Sequence, residues 1–320
     1  MSVPGVRVAV AGVDAPSPAE PRLIRFPDGL EVACQSRTEA EHIWEDIFDK
    51  KIYQRHGVTL PDNACVFDVG GNIGMFTLFV HLNCRAARTF TFEPAPPLFE
   101  ILGHNAARHA PGAKLFNAGV SDRRSTAALT FYPYSSGMSS FHADLDEEKA
   151  VLRSILEHHG EEGMDGVDRL LEVSDEFLDA RFTSRTFDCP LVPLSEVIAA
   201  ERVETIDLLK IDVQKAELDV LRGIEDRHWP KIRQIVMEVH DLDGRLAVVT
   251  ELLRGRGFDV LVEQDPLLTG SVLYNLFAIS RSALGASSDS TVAAPSAERP
   301  QSRASLQKAA LQRQRARTPR

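Results

Sequence analysis

The sequence contains no long apolar run. It has no stretch approaching the roughly eighteen uncharged apolar residues that a membrane span needs, and its N-terminus has no basic stretch followed by an apolar one. We therefore expect neither a membrane span nor a secretory signal. We predict a cytoplasmic protein without a membrane partner.

Cysteine is also scarce. The four cysteines are far apart and form no C-x-x-C pair, which argues against both a disulfide framework and a zinc knuckle. Basic residues are also outnumbered. The chain has 36 Lys and Arg residues and 46 Asp and Glu residues, which gives a net charge of −10. Because phosphate neutralisation needs a basic surface, we expect no nucleic-acid partner.

The exception to this acidity is the C-terminal end. From Arg281 onward, eight basic residues accompany two acidic ones, a local balance of +6 that leaves −16 for the rest of the chain. Residues 283–320 are rich in Ala, Ser, Pro, Gln and Arg and hold few large apolar side chains, so they cannot offset the entropy of ordering. We predict a disordered basic tail or linker there.

From residue 65 to residue 276, short apolar runs alternate with helical patterns. Strands buried on both faces that alternate with helices predict an α/β fold with a doubly wound, mostly parallel sheet. The last two strand signals have no helix between them, which predicts an antiparallel hairpin at the sheet edge. The seven predicted strands are ACVFDV, TFTFE, KLFNAGV, IDLLKID, QIVMEV, FDVLVE and LYNLFAIS.

Two regions lie outside this alternation and divide the chain. Residues 1–60 are predicted to form a helical cap segment, because apolar residues recur in it at helical spacing. These are Ile43, Trp44, Ile47, Phe48 and Tyr53. A charged, helical stretch from about 134 to 187 is predicted to be an insertion, either a lid or a solvated decoration, within a main domain of residues 61–282.

The junction after the first predicted strand, CVFDVGGNIGMFTLFV, carries the first functional signal. In a parallel sheet the ligand lies at the carboxyl ends of the strands, and the first turn must admit it close to the backbone. Glycines remove the blocking side chains there, and the following helix offers its N-terminal amides. An acidic residue in front suits a positively charged ligand group, directly or through water, better than a pyrophosphate. The predicted cofactor-binding residues of this turn are Asp68, Gly70, Gly71, Asn72 and Gly74.

Two later strand ends complete the predicted cofactor site. Glu93 ends the second strand, where a carboxylate can accept both hydroxyls of an adenosine ribose. Ser121 and Asp122 follow the third strand, where an adenine amino group could be read. Taken in order, these signals indicate S-adenosylmethionine. A nicotinamide cofactor is the alternative, disfavoured because the turn departs from the G-x-G-x-x-G spacing.

Three blocks of the sequence resemble the FkbM-type S-adenosylmethionine-dependent methyltransferases: VFDVGGNIGMFTLF, TFEPAPPLFEILGHNA and IDLLKIDVQKAELDVLRGI. The resemblance runs from about residue 45 to residue 279 and implies a Rossmann-like class I methyltransferase fold. The chain departs at Gly71, where alanine is usual and the change is expected to be harmless. It departs again at Gln214 and Lys215, where Glu-Gly is usual and supports a conventional turn. The N-terminal part and FYPYSSGMSS resemble the subgroup associated with polyketide and nonribosomal peptide synthases.

The methyl acceptor is expected beside the ends of the fourth and fifth strands. Glu238 and His240 share one strand face by period-two alternation. A histidine oriented by a carboxylate can deprotonate a hydroxyl, so His240 is the preferred catalytic base, with Glu238 and Asp212 beside it. The alternative is a divalent ion that lowers the pKa of the hydroxyl, held by Asp212, Glu238 and Asp241. Asp212 and Glu217 also admit a structural role as caps of the next helix.

Four residues are predicted to contact the substrate: Tyr53, Ser139, Ser140 and Glu217. Tyr53 precedes the first strand, where it either closes over the site or packs against the sheet. The two serines belong to YSSGMSS, for which a simple turn is the alternative.

Because members of this family mostly methylate oxygen, the resemblance implies an S-adenosylmethionine-dependent O-methyltransferase. The expected acceptor is a hydroxyl of a polyketide, nonribosomal peptide or related intermediate, either free or tethered to a carrier protein. The basic tail could then contact an acyl or peptidyl carrier protein. The alternatives are a noncatalytic docking module of a synthase and an N- or C-methyltransferase with the same fold.

Overall fold

An eight-stranded sheet organises the structure, a computed structural model that describes residues 4–10, 22–161 and 174–282. In spatial order its strands are β1 (Arg7–Val10), β6 (Lys114–Asn117), β5 (Arg88–Phe92), β4 (Cys65–Val69), β10 (Leu208–Ile211), β11 (Gln234–His240), β13 (Leu273–Ser280) and β12 (Phe258–Glu263). Strands β6, β5, β4, β10 and β11 run parallel, whereas β1, β13 and β12 pair antiparallel. The described residues all belong to one compact unit.

This sheet confirms the predicted fold class. All seven predicted strands are present, including the antiparallel hairpin of β12 and β13 at the sheet edge. The sequence did not predict β1, which adds an eighth strand at the opposite edge. The predicted third strand also divides, because its last two residues form β7 (Gly119–Val120), which belongs to a second sheet.

Helices cover both faces of the main sheet. They are α2 (Met75–Asn83), α3 (Pro96–His109), α6 (Leu194–Ala200), α7 (Glu217–Arg222) and α8 (Arg245–Gly255). Because successive side chains of a strand point to opposite faces, neighbouring residues enter different cores. Val66 belongs to an apolar cluster with residues of α2 and α3, and Phe67 belongs to one with residues of α6, α7 and α8. The sheet is therefore doubly wound.

The N-terminal segment packs against the first of these clusters. The predicted helix occurs as α1 (Arg37–Trp44) and continues into a π-helical turn at Glu45–Asp49. Ser36 caps it by accepting a hydrogen bond from the backbone N–H of Glu39 (3.3 Å). A hairpin of β2 (Arg22–Arg25) and β3 (Glu31–Cys34) precedes this helix and was not predicted, because strands of four residues give little periodic signal.

In its described residues, the predicted insertion contains two helices, α4 (Leu145–Glu161) and α5 (Ser174–Arg181). It also has strands at its borders that the sequence did not predict. These are β8 (Ser125–Phe131) and β9 (Arg185–Val192), which form a three-stranded sheet with β7. The central part of the insertion and the predicted tail, residues 283–320, lie outside the described residues.

None of the helices in the described ranges has both the length and the apolar character needed to cross a bilayer.

Candidate active site

The turn between β4 and α2 brings the backbones of two neighbouring strands into contact. Gly70 has a φ of 84°, and a Cβ built on it would lie 1.8 Å from the carbonyl oxygen of Asp212. Gly74 has a φ of 92°, and a Cβ there would lie 2.6 Å from Leu102 Cδ1. Only glycine combines this backbone conformation with such close approach. Gly70 is therefore needed to lay the end of β4 against the end of β10, and Gly74 is needed to bring the start of α2 close to α3.

Gly71 meets a different requirement. A Cβ on this residue would lie 2.4 Å from Cγ2 of Thr91, which is fully buried and shares a hydrogen bond with the hydroxyl of Thr77 (2.6 Å). An alanine here would force Thr91 to move, so glycine is the residue that fits this turn beside Thr91. Gly71 and Gly74 shape the turn, while Gly70 lines the cavity described below.

Glu93 closes the turn from the end of β5. Its Oε2 accepts a hydrogen bond from the backbone N–H of Asn72 (2.8 Å), and its Oε1 accepts one from Ala95 (2.8 Å). Burial raises the pKa of Glu93 to about 7, although these two hydrogen bonds favour the carboxylate. Asn72 has a φ of 48°, a left-handed conformation that asparagine tolerates. The turn thus presents one buried carboxyl beside its glycines.

A cavity that opens to solvent begins at this turn, and it holds about 710 Å³ of empty space when the adjoining open solvent is included. Three of the predicted cofactor-binding residues line it: Gly70, Asn72 and Glu93. Its apolar walls include Phe92, Leu98, Val120, Leu129, Phe141 and Val213. These features suit a nucleoside. The buried carboxyl can accept hydrogen bonds from the sugar hydroxyls, the apolar walls can pack against the flat base, and the glycine backbone allows close approach. The residues present therefore fit S-adenosylmethionine.

Ser121 and Asp122 were predicted to contact adenine, but they lie beyond this cavity. The lining residues at the end of the third predicted strand are Ala118, Gly119 and Val120. The hydroxyl of Ser121 donates to Asp122 instead (3.3 Å). Strand β7 pairs with β9 instead of with the main sheet, and the contact of Ser121 and Asp122 with adenine stays a prediction.

Asp68 does not reach the cavity either. Its side chain is fully buried, with Oδ1 3.1 Å from Nζ of Lys210 and Oδ2 accepting a hydrogen bond from the Thr77 hydroxyl (2.8 Å). Lys210 also donates to the carbonyl oxygen of Gly70 (2.7 Å). Burial lowers the pKa of Lys210, but Asp68 and Asp212 outweigh burial and raise it. Asp68 thus forms a buried ion pair that fixes the glycine turn, and its contact with a cationic ligand group stays a prediction.

Tyr53 joins the N-terminal segment to the acceptor side of the site. Its hydroxyl donates to Asp212 Oδ2 (2.7 Å), and its ring packs edge-on against Phe76. Burial and the charge of Asp212 raise the pKa of Tyr53 well above its ordinary value, so the phenol stays neutral. Tyr53 therefore positions Asp212, which lines the cavity. Its contact with a substrate stays a prediction.

The carboxyl end of β11 holds an arrangement suited to proton transfer. His240 Nδ1 lies 2.7 Å from Glu217 Oε1, and both side chains are buried. Glu217 also accepts hydrogen bonds from Arg245 Nη1 (3.0 Å) and from the backbone N–H of Lys215 (3.0 Å). Burial lowers the pKa of His240, but Glu217 and Glu238 outweigh burial and raise it. Because Glu217 holds Nδ1, Nε2 is the nitrogen that can take a proton.

The sequence placed Glu217 at the substrate or at a helix cap, and the structure makes it the partner of His240. Glu238 lies on the same strand face as His240, as predicted from the alternation. Burial and the charge of Asp212 raise the pKa of Glu238 to about 7. Sequence reasoning missed Arg245, because an arginine at the start of a helix carries no signal of a buried carboxylate partner.

The segment with the predicted substrate serines roofs the cavity. Ser136, Ser139 and Ser140 all line it. The Ser140 hydroxyl donates to the carbonyl oxygen of Gln214 (2.7 Å), and the backbone N–H of Ser136 donates to Glu39 (2.6 Å). Hydrogen bonds therefore connect this serine segment both to the turn after β10 and to helix α1. Sequence reasoning missed Glu39, which looks like an ordinary acidic residue on an amphipathic helix.

The residues of the metal alternative do not form a ligand cluster. Within the described ranges, no three or more His, Cys, Asp or Glu side chains are grouped so that they could hold a metal ion. Asp241 accepts a hydrogen bond from the backbone N–H of Leu246 in the first turn of α8 (3.0 Å), which is a helix-capping contact. Asp212 is engaged by Tyr53.

Comparison with known proteins identifies several relatives. The Methyltransferase FkbM domain family matches residues 68–260. The chain is 42% identical over 255 residues to 31-O-demethyl-FK506 methyltransferase FkbM of Streptomyces tacrolimicus, covering 80% of this chain and 95% of that protein. It is 41% identical over 263 residues to the AMB antimetabolite synthetase AmbE of Pseudomonas aeruginosa, covering 80% of this chain and 12% of that protein. It is 33% identical over 245 residues to Methyltransferase 1 of Beauveria bassiana, covering 75% of this chain and 90% of that protein.

Proposed function

Since this chain belongs to the FkbM methyltransferase family, we propose that it is an S-adenosylmethionine-dependent O-methyltransferase. The proposed acceptor is a hydroxyl of a polyketide, nonribosomal peptide or related natural-product intermediate. The name of the Streptomyces tacrolimicus relative supports an oxygen acceptor on such a molecule, and the Pseudomonas aeruginosa relative supports a synthetase setting.

The observation that carries this proposal is the pair of Glu217 and His240, which is buried next to the cavity-lining residue Ala216 without itself lining the cavity. A hydroxyl must lose its proton as it accepts a methyl group, and a neutral imidazole can take that proton at Nε2. Glu217 and Arg245 keep the ring oriented, and the carboxylate stabilises the imidazolium that results. Tyr53 cannot replace His240 as base, because its raised pKa keeps the phenol protonated. S-adenosylmethionine, when bound, supplies an electrophilic methyl group.

Cofactor and acceptor would be held by different parts of the site. Glu93, Gly70 and Asn72 would hold the nucleoside portion, since they line the cavity at the glycine turn. Asp212 would face the space between the cofactor and the acceptor, with Tyr53 holding it in place. A noncatalytic docking module would need neither this cavity nor a buried ionisable pair, which is costly to desolvate.

A carrier-tethered acceptor is part of the proposal. The similarity to AmbE covers 12% of that synthetase, so a related sequence lies within a much larger chain there. The acidic body of this protein would repel an acidic carrier domain, whereas the balance of +6 from Arg281 onward could attract one. The basic tail is therefore the proposed contact for an acyl or peptidyl carrier protein.

The proposal is tested by a mass-resolved methyl-transfer assay with the full chain. The acceptors are hydroxy acids, their amino analogues and their deoxy analogues, each offered free and tethered to a carrier. We expect one added methyl group on the hydroxy compounds only, and no loss of activity in EDTA. Methylation of the amino or deoxy compounds would move the assignment to N- or C-methylation. Loss in EDTA with recovery in Mg²⁺ would favour the carboxylate-metal alternative.

The proposed base is tested with His240→Ala. Turnover should fall by about two to four powers of ten, while calorimetry finds unchanged affinity for S-adenosylhomocysteine. Because the imidazole must be neutral and its pKa is raised from 6.5, wild-type turnover should fall as the pH drops through a midpoint above that value. His142→Ala, which removes an exposed imidazole, is the matched control and should retain full activity. A wild-type midpoint below 6.5 would count against His240.

A further inference from the structure

Lys215, in the turn between β10 and α7, combines a left-handed backbone with a buried charge. Its φ is 68°, in the region that favours glycine, and its side chain exposes only 7% of its surface. Both features cost free energy, so other contacts must hold this lysine in place. The sequence also singles out Lys215, as a departure from the usual Glu-Gly.

The backbone of Lys215 belongs to the network that holds the proposed base. Its N–H donates to Glu217 Oε1 (3.0 Å), the same oxygen that lies 2.7 Å from His240 Nδ1. Its carbonyl oxygen accepts from Arg245 Nη1 (2.7 Å), which also donates to Glu217 Oε2 (3.0 Å). Moving Lys215 would therefore disturb two of the groups that fix Glu217.

The side chain of Lys215 leaves the turn and reaches the insertion. Its Nζ lies 2.8 Å from Glu147 Oε2 and 3.6 Å from Glu148 Oε1, both in the first turn of α4. This first turn is itself fixed. The Tyr132 hydroxyl donates to Glu148 Oε2 (2.6 Å), and Asp144 accepts from the backbone N–H of Glu147 (3.1 Å). The ammonium of Lys215 is thus ion-paired with the first turn of α4, which other hydrogen bonds hold in place.

We propose that Lys215 is a positioning residue whose ammonium ties helix α4 of the insertion to the turn before α7, and that this tie sets the orientation of Glu217 and His240. The catalytic consequence rests on the function proposed above. Helix α4 is then coupled to the site, because the position of α4 and the orientation of the base depend on the same lysine. A solvated decoration would have no such dependence.

The test removes the ammonium and keeps the side-chain length. Lys215→Met should lower kcat on the order of tenfold to a hundredfold, because small displacements of catalytic groups have effects of this size. The pH midpoint of kcat should also move down toward 6.5, since the hydrogen bond that His240 donates to Glu217 is one of the contacts that raise the pKa of His240. Glu147→Gln with Glu148→Gln should reproduce both changes. Adding Lys215→Met to that pair should then change little, because all three substitutions break one tie.

Lys149→Met is the matched control. It also removes an ion pair of helix α4, but one that links this helix to Asp179 of α5. Its kcat and pH midpoint should equal those of the wild type, and Lys215→Arg should retain most of the activity. Equal losses in Lys149→Met and Lys215→Met would overturn the inference, because any damage to α4 would then have the same effect.

An NMR titration of the His240 ring, without cofactor or substrate, separates this inference from the proposed function. A lower His240 pKa in Lys215→Met supports the tie even if His240→Ala retains turnover and the base assignment fails. Identical His240 titrations in wild type and Lys215→Met overturn the tie even if the base assignment holds. If Lys215→Met does not fold, the Glu147→Gln, Glu148→Gln protein serves for the same comparison.

Discussion

In the proposed function, the protonation state of Glu93 controls cofactor binding. With a pKa raised to about 7, Glu93 is increasingly protonated below that pH, and the proton must leave before the carboxylate can accept two ribose hydroxyls. Affinity for S-adenosylhomocysteine should therefore fall by about tenfold per pH unit below pH 7 and level off above it. Calorimetric titrations across this range measure the slope. An affinity that is flat with pH would contradict the assignment of Glu93 to the ribose.

Glu93→Gln is the informative variant for this prediction. It should weaken binding at high pH by about 1 to 3 kcal/mol, because one acceptor is lost, and it should abolish the slope with pH. Glu238→Gln is the control, since the pKa of Glu238 is also raised to about 7 but the residue lies on the acceptor side. That variant should keep the slope.

The positions of site residues were predictable where they lie at the end of a buried strand. Glu93 follows β5 and His240 ends β11, and parallel strands bring such ends to one edge of the sheet. The sequence could not show which side chain pairs with each charged site residue. Glu217 lies 23 residues before His240, and no periodicity relates two side chains on different elements. In the same way, only the fold shows that Lys210 neutralises Asp68.

At the scale of elements, the turn after β4 depends on its neighbour β5. Gly71→Ala should destabilise the protein by about 1 to 3 kcal/mol, because its Cβ would collide with Cγ2 of buried Thr91. Adding Thr91→Ser removes that methyl group and keeps the hydroxyl that contacts Thr77. The double variant should recover most of the lost stability in urea unfolding.

Gly255→Ala is the control for this turn, since a Cβ at that position meets no atom within 4 Å. It should not be destabilising. If Gly71→Ala were as stable as the wild type, the contact with Thr91 would not constrain the turn.

The elements themselves were predictable in proportion to their burial. Strand β4 is buried along its whole length, so its apolar run stands out from the polar turns around it. By contrast, β8 and β9 each begin with exposed residues, and their mixed composition resembles that of a loop. The second sheet exists because these strands pair with each other and with β7. Such pairing over long sequence separation leaves no local signal.

At the scale of the whole molecule, the fold does not explain why basic residues are concentrated at the C-terminal end of the chain. All buried apolar residues of the described core lie at or before Ala278, so the residues after them contribute no described core contact. Their excess of basic residues, against a body of −16, separates the chain into a catalytic part and a part of opposite charge. An acidic carrier domain would be drawn to the second part.

Deleting residues 284–320 should therefore separate catalysis from partner engagement. Folding, cofactor affinity and methylation of a free acceptor should not change, whereas methylation of a carrier-tethered acceptor should slow at low salt. The defect should shrink as salt rises, because the screening length falls from about 10 Å at 0.1 M to about 3 Å at 1 M and the intact protein loses the same attraction. A full-length chain with its seven basic residues after 284 changed to Gln should behave like the deletion, and a scrambled tail of unchanged composition should behave like the wild type. Equal rates for the deleted and intact chains on the tethered acceptor at low salt would show that the tail does not engage the carrier.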